Sequence, residues 1–151
     1  MTHRMRKARW DKRGFTLIEM LIVITVIAIL AVIVVPRLMS ATRRSREASL
    51  TADLKQLRDA IERFEANTAA WPPSLTDLMA ADGSAVSADA DGRGLSVDRS
   101  AYDGPYLRTG DGSLPADPFT GGANWNYNSS TGEVHSSSTL TALGGSAYST
   151  W

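Results

Sequence analysis

Among 151 residues few side chains could do chemistry, and one of them stands where it is costly. Glu19 lies inside a run, residues 15–35, whose only polar members are Thr16, Glu19 and Thr25. In lipid a carboxylate costs about 2.5–3.5 kcal/mol at mid-bilayer and less toward the headgroups, so it needs a partner. No cation lies one helical turn away, because positions 15, 16, 22 and 23 are Phe, Thr, Ile and Val. The partner is therefore expected from elsewhere, and two readings stay open. An α-amino group freed at Phe15 of a neighbouring copy would neutralise Glu19 only in an assembly. Alternatively, Glu19 snorkels to the headgroups.

The other reactive groups form no constellation. His3 sits in a basic N-terminal stretch, and His135 stands alone on an expected strand with no Ser-Asp or metal-ligand pattern beside it. Asp117, between Ala116 and Pro118, reads as an Asx-type turn. Asp89-Ala90-Asp91-Gly92 resembles the start of a calcium loop but lacks the third ligand and the closing glutamate, so a solvated loop is expected. There is no phosphate-cradling glycine loop and no paired-carboxylate spacing. The absence of cysteine excludes disulfides, thiolate catalysis and Cys-based zinc sites.

The elements that position these residues begin with the apolar run itself. Its 21 residues make, at about 1.5 Å each, a helix of roughly 30 Å, the hydrocarbon thickness of a bilayer. A helix apolar on every side has too little chain after it to be buried in a soluble core. A cleaved secretory signal would have a shorter core and a small-residue cleavage site, whereas this run leads into Val34-Val35-Pro36-Arg37. Residues 1–14 hold six Lys or Arg against one Asp, and four arginines (37, 43, 44 and 46) follow the run. Six against four places the N-terminus in the cytoplasm. The remainder of the chain has ten basic and fifteen acidic residues, which speaks against a nucleic-acid partner. The arginine cluster is expected to pair with acids of adjacent subunits or water, with anionic lipid headgroups or nucleic acid as the alternatives.

Pro36 removes one helical hydrogen bond and crowds the preceding turn, so the helix should bend or melt there. Beyond it Leu50, Leu54, Leu57, Ile61 and Phe64 recur at helical spacing with charged residues between, a one-faced helix expected to pack on a small sheet. Asn67 and Trp71-Pro72-Pro73 stop it. Ser74 caps a short helix. Residues 81–104, rich in Asp, Gly, Ser and Ala, read as a surface loop of low order. Trp125 and Tyr127 alternate with Asn126 as one strand, 128–132 supplies a turn, and 133–136 returns as a hairpin. Residues 139–143 are expected as a third strand and 144–151 as a loose tail.

The stretch Arg13-Gly14-Phe15-Thr16-Leu17-Ile18-Glu19 resembles the recognition motif of type IV prepilins and type II secretion pseudopilins. The region from Leu114-Pro115-Ala116-Asp117-Pro118 through the aromatic hairpin is similar to the G-type major pseudopilin. The resemblance implies an α+β fold of the type IV pilin kind, a long N-terminal helix packed on a small antiparallel C-terminal sheet. It divides the chain into a cleaved basic leader (1–14), a transmembrane helix (15–35), an amphipathic helix (36–66), a short helix with a variable loop (67–104), and a hairpin region with its tail (105–151). It further implies that a prepilin peptidase/methyltransferase cuts between Gly14 and Phe15 and methylates the new N-terminus, that Glu19 supports processing and docking, and that Pro36 is a helix-kinking proline. A glycine before the cut lets a protease approach the backbone closely.

The implied function is a non-enzymatic structural subunit of a type II secretion pseudopilus. Its implied partners are copies of itself, minor pseudopilins, an inner-membrane assembly platform and membrane lipid. It would be a single-pass inner-membrane protein with a periplasmic C-terminal domain, later a periplasmic filament. Major type IV pilins usually carry a C-terminal disulfide that this chain cannot form, which favours the pseudopilin. G-type pseudopilins hold calcium with acidic residues of a C-terminal loop; after Glu133 this chain has neither Asp nor Glu, so that site is not carried over and no cofactor is expected. A type IV pilus subunit serving adhesion, DNA uptake or twitching is the first alternative. A non-assembling membrane-anchored module using Trp125 and Tyr127 as a binding platform is the second.

Overall fold

The computed structural model describes residues 15–151. The basic leader, Gly14 and His3 lie outside the described residues. The chain forms two compact units that divide between Ala41 and Thr42, and one helix, α1 (Leu17–Thr68), contributes to both.

In the first unit every residue from 15 to 39 is exposed, as befits a helix whose apolar side chains point in all directions. By length and composition it is able to cross a membrane. Its one mid-run hydroxyl is satisfied internally, since Thr25 Oγ1 donates to the carbonyl of Leu21 at 2.7 Å. Pro36 lies within α1, which continues as helix on both sides of it, so the chain does not melt there.

In the second unit the expected stripe is the core. Leu50, Leu54, Leu57, Ala60, Ile61 and Phe64 are all buried on one face of α1, beneath Leu78, Val86, Val97, Leu107, Val134 and Tyr148. Tyr102 and Tyr106 meet Phe64 edge-on at 5.9 and 5.7 Å, a favoured aromatic geometry. α1 ends where Ala69 turns into the left-handed region at φ 60°, and the Thr68 hydroxyl occupies the carbonyls of Phe64 and Ala70. The Trp-Pro-Pro segment follows, and then a 3₁₀ turn, Leu75–Met79, opens with Ser74 accepting from the Thr76 amide while Asp77 accepts from the Ser74 amide.

The hairpin forms where expected. β1 (Trp125–Asn128) pairs antiparallel with β2 (Glu133–Ser136), Trp125 facing Ser136 and Tyr127 facing Val134. Gly132 closes its turn at φ 72°, and a Cβ there would stand 2.6 Å from the Trp71 ring, so both conformation and space require glycine. The expected third strand is reduced to one bridge, Thr141 with Ala147, because the chain doubles back tightly with Ala142 N–H bonded to Ser146 O.

Two expectations are corrected. The stretch 81–104 is not loose. Asp77 accepts from the amide and hydroxyl of Ser87, each at 2.8 Å. Asp91 accepts from the amides of Trp71, Arg93 and Leu95 and pairs with the Arg93 guanidinium at 2.7 Å. Burial pushes Asp91 up, but Arg93 and those amides together hold it below its ordinary value. Val86 and Val97 carry the stretch into the core. The tail 144–151 is not loose either, since Tyr148 is fully buried and stacks on Phe119 at 4.1 Å.

Leu57→Ala is expected to cost about 2–5 kcal/mol, read as a lower thermal midpoint by near-ultraviolet circular dichroism of the full chain in detergent. Ile27→Ala, at an exposed position of the first unit, should leave that midpoint where it was.

Candidate functional site at the start of the first helix

The first turn of α1 is a capping box. Thr16 precedes the helix and its Oγ1 accepts from the Glu19 amide at 3.3 Å. Glu19 Oε2 in return accepts from the Thr16 amide at 2.9 Å and the Thr16 hydroxyl at 3.0 Å. Thr-x-x-Glu ahead of an apolar run is the sequence signature of this arrangement. Counting only cations within a helical turn passes over it. The expectation that every partner of Glu19 comes from outside the segment is therefore corrected: two of its hydrogen bonds come from Thr16.

This arrangement lowers the cost of the carboxylate without cancelling its charge. The helix N-terminus favours an anion through its aligned amides, and the two bonds converge on one oxygen. Among the described residues Oε1 of Glu19 receives no hydrogen bond and no cation lies within ion-pair distance of either oxygen. A carboxylate has about four acceptor positions, so Glu19 keeps an oxygen that no described residue fills. Phe15, the first described residue, is 79% exposed.

The remaining reactive residues are engaged in structure. His135 Nδ1 meets the carbonyl of Trp151 at 2.8 Å. Asp89 pairs with Arg99 at 2.9 Å while Asp91 pairs with Arg93, so the two do not converge. Tyr127 donates its hydroxyl to Pro72 O at 2.7 Å and Trp125 its indole N–H to Pro115 O at 2.8 Å. Both polar ends of the would-be aromatic platform are thus turned into the fold. Of the arginine cluster, Arg43 binds inward, to Thr141 O and, at 3.5 Å, the Tyr148 hydroxyl, whereas Arg37, Arg44 and Arg46 are exposed. Sequence reasoning missed Glu47, whose Oε1 accepts from the Leu143 amide at 2.8 Å and the Tyr148 hydroxyl at 2.7 Å. Those two bonds, the amide's first, hold Glu47 below its ordinary value.

Residues 11–35 match the family model described as the prokaryotic N-terminal methylation motif. The type II secretion system core protein G of Klebsiella pneumoniae is 32% identical over 108 residues, which span 72% of this chain and 69% of that protein. This chain belongs to the core protein G family. The Aeromonas hydrophila core protein G agrees, at 30% identity over 76% of this chain and 71% of its own length. The chain is also similar to a pilin, the type IV wide pilus major component PilA4 of Thermus thermophilus, which is 46% identical over 34% of this chain and 37% of its own length. No solved structure matches this chain.

Thr16→Val removes the hydroxyl that both gives to and takes from Glu19. It is expected to weaken the first turn by roughly 1 kcal/mol, measured as about fivefold faster hydrogen exchange at the Glu19 amide in bicelles. Thr16→Ser should exchange as the unmodified chain does.

Proposed function

We propose that this core protein G family member is a structural, non-catalytic subunit of a type II secretion pseudopilus, drawn from the inner membrane into a helical filament by neutralisation of Glu19. The supporting observation is the open oxygen of Glu19 at the head of a helix exposed on every side. Such a helix must be covered by lipid or by copies of itself. A freed amine on Phe15 of a second copy is the cation that suits an acid at this depth, and the pair would set axial register. Cleavage between Gly14 and Phe15 by a prepilin peptidase/methyltransferase leaves the Thr16 amide a peptide N–H, so the capping box survives processing and keeps Glu19 aimed while the amine arrives. Pro36, where α1 lacks one helical bond, is the point at which the helix yields during assembly.

The chain is then a single-pass inner-membrane protein with its basic leader in the cytoplasm and residues after the membrane run in the periplasm. Its partners are copies of itself, minor pseudopilins, an inner-membrane assembly platform and lipid, with no nucleic acid and no cofactor. The likeness to a wide-pilus component supports a second reading, a subunit of a surface pilus. Fibres sheared from the cell surface would favour that reading; a cell-associated product whose loss strands exported enzymes in the periplasm favours the pseudopilus.

Glu19→Ala is expected to insert but to form no filaments, read by cross-linking and electron microscopy of membranes. Normal filaments from that variant would defeat the neutralisation account. Intact-mass spectrometry should find a mature chain beginning with N-methylated Phe15, and a product still carrying residues 1–14 in cells with the peptidase would defeat the processing account.

A further inference from the structure

The pseudopilin resemblance implies calcium held by acidic residues of a C-terminal loop, and the residues present do not fit that ion. Calcium takes six to eight oxygen ligands, commonly several from carboxylates. Among the described residues no three of His, Cys, Asp and Glu gather in one place, and no acid follows Glu133. The acid whose ionisation opposes that of another across this region is Asp53 of α1. Burial raises its pKa most, a bond from Ser49 lowers it, and the charge of Asp117 raises it further. Two carboxylates fall well short of a calcium ligand set.

The same region instead has a carboxylate closed by protein donors. Asp117 and Ser136 are both fully buried. Ser136, the last residue of β2, donates its hydroxyl to Asp117 Oδ2 at 2.5 Å. Asp117 Oδ1 accepts from the amides of Phe119 at 2.8 Å and Thr120 at 3.4 Å. The backbone of Asp117 closes the same loop, its N–H to Gly122 O at 2.9 Å and its carbonyl from Gly121 N–H at 2.8 Å. A serine hydroxyl has one proton to give. Having given it to Asp117, Ser136 Oγ accepts from the Ser138 amide at 3.0 Å, and Ser138 Oγ in turn accepts from the Leu140 amide at 3.3 Å. One continuous line of donors thus ties the loop 117–122, the end of the hairpin and the segment leading to residue 140.

We propose that this Asp117–Ser136 latch fastens the C-terminal loops in place of a cation, so that the domain reaches its full stability without calcium. A buried carboxylate satisfied by an O–H and two N–H groups needs no metal to offset its burial. A ligand that binds only the folded state must raise the unfolding midpoint, which makes the proposal measurable without reference to secretion or filament growth.

The test uses the full chain in detergent micelles, melted in excess EGTA and in excess calcium chloride and followed by near-ultraviolet circular dichroism. The midpoint is expected to be the same in both. Ser136→Ala is expected to lower it by several degrees in both solutions alike. A calcium-dependent rise of several degrees in the unmodified chain overturns the proposal, whether or not the variant folds. A Ser136→Ala midpoint equal to that of the unmodified chain overturns it as well.

Discussion

An acid at the head of a helix that is apolar on every side has to be satisfied twice, as a set of hydrogen-bond acceptors and as a charge. The chain supplies the first itself. Thr16 gives two bonds to Glu19 and takes one from its amide, and the free amides of the first turn add a favourable field. Nothing among the described residues supplies the second. The division matters physically, because a carboxylate fully compensated within its own chain would gain little from a neighbour. One left without hydrogen bonds would pull toward the headgroups. A capped but uncompensated acid keeps a fixed direction and an unspent charge, the condition in which a second copy's amine contributes most.

The second unit faces a different shortage. It has no cysteine, its named sheet has only two strands, and its core is one helix face covered mainly by loops. Loops carry backbone amides that ladders do not satisfy, and here carboxylates receive them. Glu47 takes an amide and a phenol from residues about a hundred positions later. Asp77 takes Ser74 and Ser87, Asp91 takes Trp71, Arg93 and Leu95, and Asp117 takes Phe119 and Ser136. Bonds to charged acceptors are stronger than those between neutral groups, so these few carboxylates tie together loops that no ladder holds.

How far each feature was legible in the sequence follows from the range of the interaction that makes it. Periodicity is local, so the stripe from Leu50 to Phe64, the end of α1 near Thr68 and the hairpin at 125–136 could be read directly. The capping box is equally local but is not signalled by charge, since the partners of Glu19 are a hydroxyl and an amide of Thr16. The order of residues 81–104 was not legible. Its composition is that of a solvated loop, and what fixes it is where Asp77 and Asp91 sit after folding. The tail escaped for the same reason, since a terminal Tyr and Trp among Gly, Ser and Thr read as slack until Tyr148 is placed between Glu47 and Phe119.

Pro36 shows how a residue can change a helix without ending it. Lacking an N–H, it leaves one carbonyl of the preceding turn without its helical donor, yet α1 continues as helix beyond it. The carbonyl so freed is that of Val32, and past the proline Ser40 Oγ donates to the carbonyl of Arg37 at 2.9 Å. The missing bond is therefore confined to one turn, at the end of the apolar run, where a carbonyl can be met by water or headgroups rather than hydrocarbon. Placed ten residues earlier, the same proline would leave that carbonyl in lipid with no donor. Its position leaves the helix continuous and confines the loss to the last turn of the apolar run.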